Sequence, residues 1–483
     1  MPLIEFESIE NEPDIVRLIL TNQQDKLLPL INADNANALA NNGCSILALA
    51  ADRGNLELVT LLVKHAAICD ALFDTDKWKK MTVLMFAAAS GNLELVAYLL
   101  AIKEFAVMID HENKDKLTAL NFAALYGHKA IVDLLLERGA NNTIETWRSS
   151  TNATLLMWAV IYGQFSGVQY LLNFSGLKKL INHANQISAQ TALTLAVEWG
   201  FHEIALYLKR EGATTDVEAW ENEFGSNLLM IAALNGATQG VNYMLSPLSG
   251  FNFKQRINYK NREGYTAITL AAIAGYAEIV DILKGEGADT QLMHWRNAAN
   301  STLLMISAMH GWIRGIQYLL QIPEFRSLIN AKNRYELSAP YVAAIHGHGS
   351  VVQMLEKAGA AETSANFHRW RDASDNTLLI KAASSGLLSG LKYLLQFPNM
   401  RDLTNHTNVD GLTALELTPL AHYPTIKPLL LQNATAKTEE QLENHFKLKK
   451  EILPFFEKFA SNRIASIITS YSIETNHRVQ FVF

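Results

Sequence analysis

The chain has 483 residues, a formal net charge of −6, 49% hydrophobic and 18% charged residues, and two cysteines. That balance predicts a packed core, and it excludes a disulfide framework and the basic stripe that nucleic-acid phosphates require, so no nucleic-acid partner is expected. No run approaches the ~20 apolar residues that cross a bilayer, so no membrane span is expected.

The first segment, MPLIEFESIENEP, is acidic where a secretory signal is basic. Residues 9–20, IENEPDIVRLIL, read as a degenerate unit in which Asp14 opens an apolar-periodic helix; 1–40 is assigned to this capping repeat. A helix-turn-helix sentence then recurs, plainest as TALNFAALYGHKAIVDLLLERGA (118–140), TALTLAVEWGFHEIALYLKREGA (191–213) and TAITLAAIAGYAEIVDILKGEGA (266–288). The glycine ending each first helix falls at Gly54, Gly91, Gly127, Gly163, Gly200, Gly236, Gly275, Gly311, Gly347 and Gly386, in steps of 36 to 39 residues. A fixed period of this size marks stacked units that share one core, here over 41–433. Paired alanines such as Ala123 and Ala124 let neighbouring helices approach closely.

The units alternate between two kinds. Even copies, such as NATLLMWAVIYGQFSGVQYLL (152–172) and STLLMISAMHGWIRGIQYLL (301–320), follow a tryptophan: Trp147, Trp220, Trp295 and Trp370, with Trp78 ahead of an earlier copy. Odd copies are entered through Asn-rich turns at Asn32, Asn182, Asn258 and Asn330, after what reads as a longer second helix. Each tryptophan is expected to anchor its own lengthened hairpin. The arginines that follow three of them, Arg148, Arg296 and Arg371, read as a hairpin edge open to acidic partners. Pro419, Pro424 and Pro428 are expected to distort the last unit.

The wording resembles the ankyrin repeat, G-x-T-P-L-H-x-A-A-x-x-G-x-x-x-I-V-x-x-L-L-x-x-G-A, across roughly Asn42 to Asn433. The proline is mostly Ala or Leu and the histidine mostly Asn, Thr, Met or Tyr; the small, apolar and glycine positions hold. The resemblance implies an all-α solenoid of about eleven to twelve units in alternating double repeats, with a short helical C-terminal extension. It also implies a non-enzymatic scaffold that binds a protein or peptide in its concave groove. The two residues before each turn glycine belong to that face. Here the ladder includes Leu125 and Tyr126, Ile161 and Tyr162, Glu198 and Trp199, then Asn235, His310 and His346. The aromatics in consecutive units are the anchors interfaces use, unless they stack only to stiffen the groove. His310 and His346 would add pH sensitivity near neutral. Asn32, Asn182, Asn258 and Asn330 occupy positions resembling those hydroxylated in other ankyrin proteins.

No phosphate loop, G-x-S-x-G or H-E-x-x-H occurs, so no catalytic residue and no cofactor is assigned. Cys44 follows Gly43 at a hairpin position that is often exposed, with His65 the nearest histidine in sequence and Cys69 further on. HGHGS (346–350) looks metal-like, yet His348 falls where the family itself has histidine, and no metal is assigned. Residues 434–483 do not repeat. Thr438 and Gln441 form a capping box, Pro454 ends one helix, a second carries Phe455, Phe459 and Ile467, and RVQFVF is strand-like. A cap on the last repeat, a homodimer contact, and an export or partner-binding tail all fit this segment.

The Asn- and Lys-rich vocabulary, weakened consensus and nonrepeating C-terminus are similar to ankyrin effectors that intracellular bacteria inject into hosts by type IV secretion. That implies a host protein as partner and a cytoplasmic or host-cytosolic location. The rival reading is an effector whose enzymatic or enzyme-recruiting activity lies in the tail or in an unrecognised pocket.

Overall fold

The computed structural model describes residues 12–65 and 80–431, other than Ala33, Asn42 and Leu420. Cys69, Trp78, the first eleven residues and the whole 434–483 segment, with its capping box, two helices and RVQFVF, lie outside the described residues. What is described is helical, with isolated β-bridges in the connecting fingers.

Most repeats begin on a side chain that caps the inner helix, although Ser338, ahead of Ala339–His346, makes no such bond. Thr118, Thr191 and Thr266 close reciprocal capping boxes with Asn121, Thr194 and Thr269. Thr154, Thr302 and Thr377 accept the N–H groups of Met157, Met305 and Ile380. The inner helix Ala119–Tyr126 is buried along its whole length, whereas its outer partner Lys129–Glu137 buries Ile131, Val132 and Leu135 alone. An inner helix is covered by its own outer helix and by both neighbouring repeats; an outer helix keeps one wet face. The turn between them is a left-handed glycine, as at Gly127 (φ +79°) and Gly275 (φ +86°).

The longer second helix expected in the even repeats is instead a separate short helix. Lys103–Ala106, Ser175–Lys179, Pro323–Arg326 and Pro398–Arg401 each bury one apolar plug: Phe105, Leu177, Phe325 and Met400. The chain has to return across the end of its own repeat, and a one-turn helix satisfies backbone groups a bare loop would leave orphaned.

The tryptophans act alike. The indole N–H groups of Trp147, Trp220, Trp295 and Trp370 donate to the carbonyls of Lys116, Ala189, Gly264 and Glu336 at 2.7, 3.0, 2.9 and 3.0 Å. Every one of those acceptors is the left-handed corner of the preceding finger, with φ between +53° and +82°. Arg148, Arg296 and Arg371 are not an open basic edge, because each turns its guanidinium onto two carbonyls of its own turn. The turn asparagines also bind internally: Asn182, Asn258 and Asn330 accept from the backbone N–H of Thr214, Asp289 and Ala361 in the next connection.

Glycine explains why repeats come in pairs. Gly167, Gly240, Gly315 and Gly390, on the outer helices of even repeats, lie against the carbonyl oxygens of Leu125, Glu198, Ile273 and Ile345. A Cβ at any of the four would fall well inside contact distance of that oxygen. On the other side, the turn glycines of the even repeats face side chains, with rings of His128, Phe201, Tyr276, His348 and His422 against Gly91, Gly163, Gly236, Gly311 and Gly386. From the repeat of Ala119–Tyr126 onward, backbone locks and ring-filled seams therefore alternate.

In the last unit the inner helix is reduced to turns, while Tyr423–Leu431 stays helical around Pro428. The described residues fall into two compact units: one runs to Ala232 and includes Ala237–Lys254, the other takes Ala233–Gly236 and continues from Gln255. Within each, consecutive repeats stack inner helix on inner helix.

Candidate partner-binding face

The ladder positions do not behave uniformly, and the alternation of locks and seams is the reason. At the odd repeats the first ladder residue is the one whose carbonyl receives the next repeat's glycine. Leu125, Glu198 and Ile345 are accordingly 0%, 2% and 5% exposed. Tyr126 is buried as well, and Glu198 accepts a hydrogen bond from the Gln190 side chain. Leu125, Tyr126 and Glu198 thus support the inner-helix face from beneath and present no surface of their own.

In the first unit the exposed rungs are Ile161, 38% exposed, and the half-buried Tyr162 and Trp199. Tyr162 is held by rings on two sides: Tyr126 at 6.3 Å and Trp158 at 5.8 Å between centroids, with Trp158 in turn edge-on to Trp147. Burial, and then the charge of Asp115, push the Tyr162 phenol up to about 12, so it stays a neutral donor. Tyr126 is raised further, by burial first and then by Tyr162 and Asp52. Tyr126 and Tyr162 meet at a tilt and Trp158 joins them, a contact that stiffens the face and ends in surface that solvent reaches.

In the second unit the rungs are Asn235, His310 and His346, all half-buried. His310 stacks on Trp312 at 4.5 Å, and His346 lies parallel to His348 at 6.4 Å. Burial pushes both His310 and His346 down to about 4, each further lowered by His348. The expected sensitivity near neutral pH is therefore displaced into the acid range, because the rings are too poorly solvated to hold a proton at pH 7.

Cys44, expected at an exposed hairpin, is fully buried, its thiol toward the Ser45 carbonyl at 3.5 Å. His348 binds the Met309 carbonyl through Nε2 at 3.0 Å, and among the described residues no three His, Cys, Asp or Glu side chains are grouped to hold a metal ion. Among the same residues no helix is long and apolar enough to cross a membrane.

The seam residues escaped the sequence reading. His128, Phe201, Tyr276 and His348 each directly follow an odd turn glycine, whereas the even copies place Asn92, Gln164, Ala237, Trp312 and Leu387 there. A ring recurring at every second turn was the available signal.

The family model described as "Ankyrin repeats" matches residues 6–108, 66–146, 101–179 and 215–294, which together cover just over half of the chain. Over 107 residues, 22% of this chain and 33% of the relative, the sequence is 29% identical to NF-kappa-B inhibitor alpha of Homo sapiens. Over 143 residues, 29% of this chain and 14% of the relative, it is 30% identical to the Nuclear factor NF-kappa-B p105 subunit of Rattus norvegicus. The chain spans a third or less of the length of these curated relatives.

Proposed function

We propose that this chain, which belongs to the ankyrin-repeat family, works without chemistry of its own by gripping a protein or peptide partner in the concave groove lined by its inner helices. Repeats of this family serve protein–protein interaction; which face serves here, and which partner, is the proposal. The observation that carries it is the partly exposed set of Ile161, Tyr162 and Trp199 in the first unit, with Tyr162 held between the rings of Tyr126 and Trp158. Large amphipathic side chains already fixed by their neighbours lose little entropy on binding, which is what an anchor needs. Asn235, His310 and His346 form the corresponding face of the second unit.

A bacterial effector acting on a host protein, exported through its C-terminal segment, is the setting that fits the sequence vocabulary. A homodimer contact, the alternative to a cap or an export tail for the same segment, is tested by the mass of the chain in solution with and without residues 434–483.

The groove is tested by affinity capture from eukaryotic cytosol with the wild-type chain and with an Ile161→Ser, Tyr162→Ala, Trp199→Ala variant shown by circular dichroism to stay folded. A partner held by the wild type and lost from the variant is the expected result. Equal retention would remove the first unit's inner face from consideration. Loss of the partner on truncation at Asn433, with the variant unaffected, would favour an activity in the tail.

A further inference from the structure

Three positions recur at each seam: the last rung of the even repeat, the last rung of the odd repeat, and the ring that follows the odd turn glycine. In the first unit one such set is Tyr162, Trp199 and Phe201, with Phe201 against Gly163. In the second unit the equivalent set is His310, His346 and His348, with His348 against Gly311. The same backbone geometry thus accepts three rings that do not titrate near neutral pH in one unit and three imidazoles in the other.

What disfavours a charge on these imidazoles is their burial. A carbonyl can only accept, so His348 Nε2 donates to the Met309 oxygen at 3.0 Å, a bond that by itself favours the protonated ring and is outweighed by burial. The charge effects on His310 and His346 come from other members of the set. The helices packed at this seam are Ala267–Ala274, Leu303–His310, Ile313–Gln321, Ala339–His346, Gly349–Lys357, Leu378–Ser384 and Leu388–Leu394. Their ionisable groups besides the histidines are Arg314, Tyr318, Tyr341, Glu356, Lys357, Lys381, Lys392 and Tyr393. The one carboxylate among them, Glu356, accepts from the Ser364 backbone N–H. Three imidazolium ions would therefore meet here, and the charges acting on His310 and His346 are those of the other imidazoles, with no carboxylate among them.

We propose that the seam between the repeat of Leu303–His310 and the repeat of Ala339–His346 is an acid-released joint, held shut by neutral His310, His346 and His348 and opened when they take up protons. The flanking locks, Gly315 on Ile273 and Gly390 on Ile345, are backbone contacts with nothing to titrate. Opening therefore stops at these two locks, and it separates the rungs His310 and His346 that share a face at neutral pH. The joint is a property of the chain by itself and does not depend on any partner.

Hydrogen exchange of the full chain, read as protection factors at pH 7, 6 and 5, tests it. Peptides within Leu303–His310 and Ala339–His346 should lose at least ~10-fold in protection between pH 7 and 5 relative to peptides within Ala267–Ala274, whose own seam is filled by Tyr276. A His310→Tyr, His346→Trp, His348→Phe variant, built from the residues the chain uses in its first unit, should show no such relative loss. Equal losses in all three helices of the wild type, or a seam-specific loss that persists in the variant, would overturn the proposal. If the triple variant is unfolded at pH 7, His348→Phe alone decides: its relative loss must be smaller than that of the wild type, and an unchanged loss refutes the joint.

Discussion

At the scale of single residues, the recurring device is a ring N–H donated to a left-handed carbonyl one repeat earlier. Trp147 shows what it contributes, since the ring is buried and its partner, the Lys116 carbonyl, sits at a strained corner. Trp147→Phe keeps most of the packing and loses the bond, at an expected cost of about 1 kcal/mol, whereas Trp147→Ala should cost about 3–5 kcal/mol. Urea denaturation of both variants checks the ratio; equal costs would show that the bond contributes nothing. His310 and His346 set a pH dependence of known sign. Their folded values of about 4 lie below the ordinary 6.5, so the unfolded chain binds more protons in between. Their contribution is fully present above about 6.5 and is lost as the pH falls toward 4. At pH 5 each imidazole should cost about 1–2 kcal/mol of unfolding free energy. A urea midpoint that changes equally between pH 7 and 5 in the wild type and in a His310→Tyr, His346→Trp variant would contradict this.

At the scale of elements, two kinds of glycine carry different loads. Gly315 faces the Ile273 carbonyl with no room for a Cβ, while Gly287 has φ +94° with nothing near the position a Cβ would take. Gly315→Ala must push two helices apart and should cost at least ~3 kcal/mol. Gly287→Ala bears only the left-handed backbone penalty, about 1–2 kcal/mol. Thermal or urea unfolding of the two variants separates a packing lock from a turn; a cheaper Gly315→Ala would mean that the paired repeats are not locked by backbone contact. The inner and outer helices themselves were legible from period and turn glycines, because local propensity and burial pattern agree there. The third short helix of the even repeats was not, since Lys103–Ala106 and its counterparts are too short for any periodicity to show.

At the scale of the molecule, stability in a repeat array is a sum of each repeat and its nearest neighbours. The final unit has lost its inner helix, so Tyr423–Leu431 has less to pack on than Gly349–Lys357. Its amides should exchange at least ~10-fold faster, and slower exchange would mean that another part of the chain covers it. Family, helical class and the pairing of repeats were determined by the sequence alone, because a period repeated this often outweighs any single departure from consensus. Which ladder residues meet solvent was decided only by tertiary structure. Leu125, Glu198 and Ile161 occupy equivalent places in their own repeats, and nothing within those repeats distinguishes them. What separates them is whether the following repeat brings a glycine close enough to cover them, as Gly167 covers Leu125 and Gly240 covers Glu198, or sets a ring there that leaves Ile161 exposed. That is a relation between two repeats, and a pattern read one repeat at a time does not contain it.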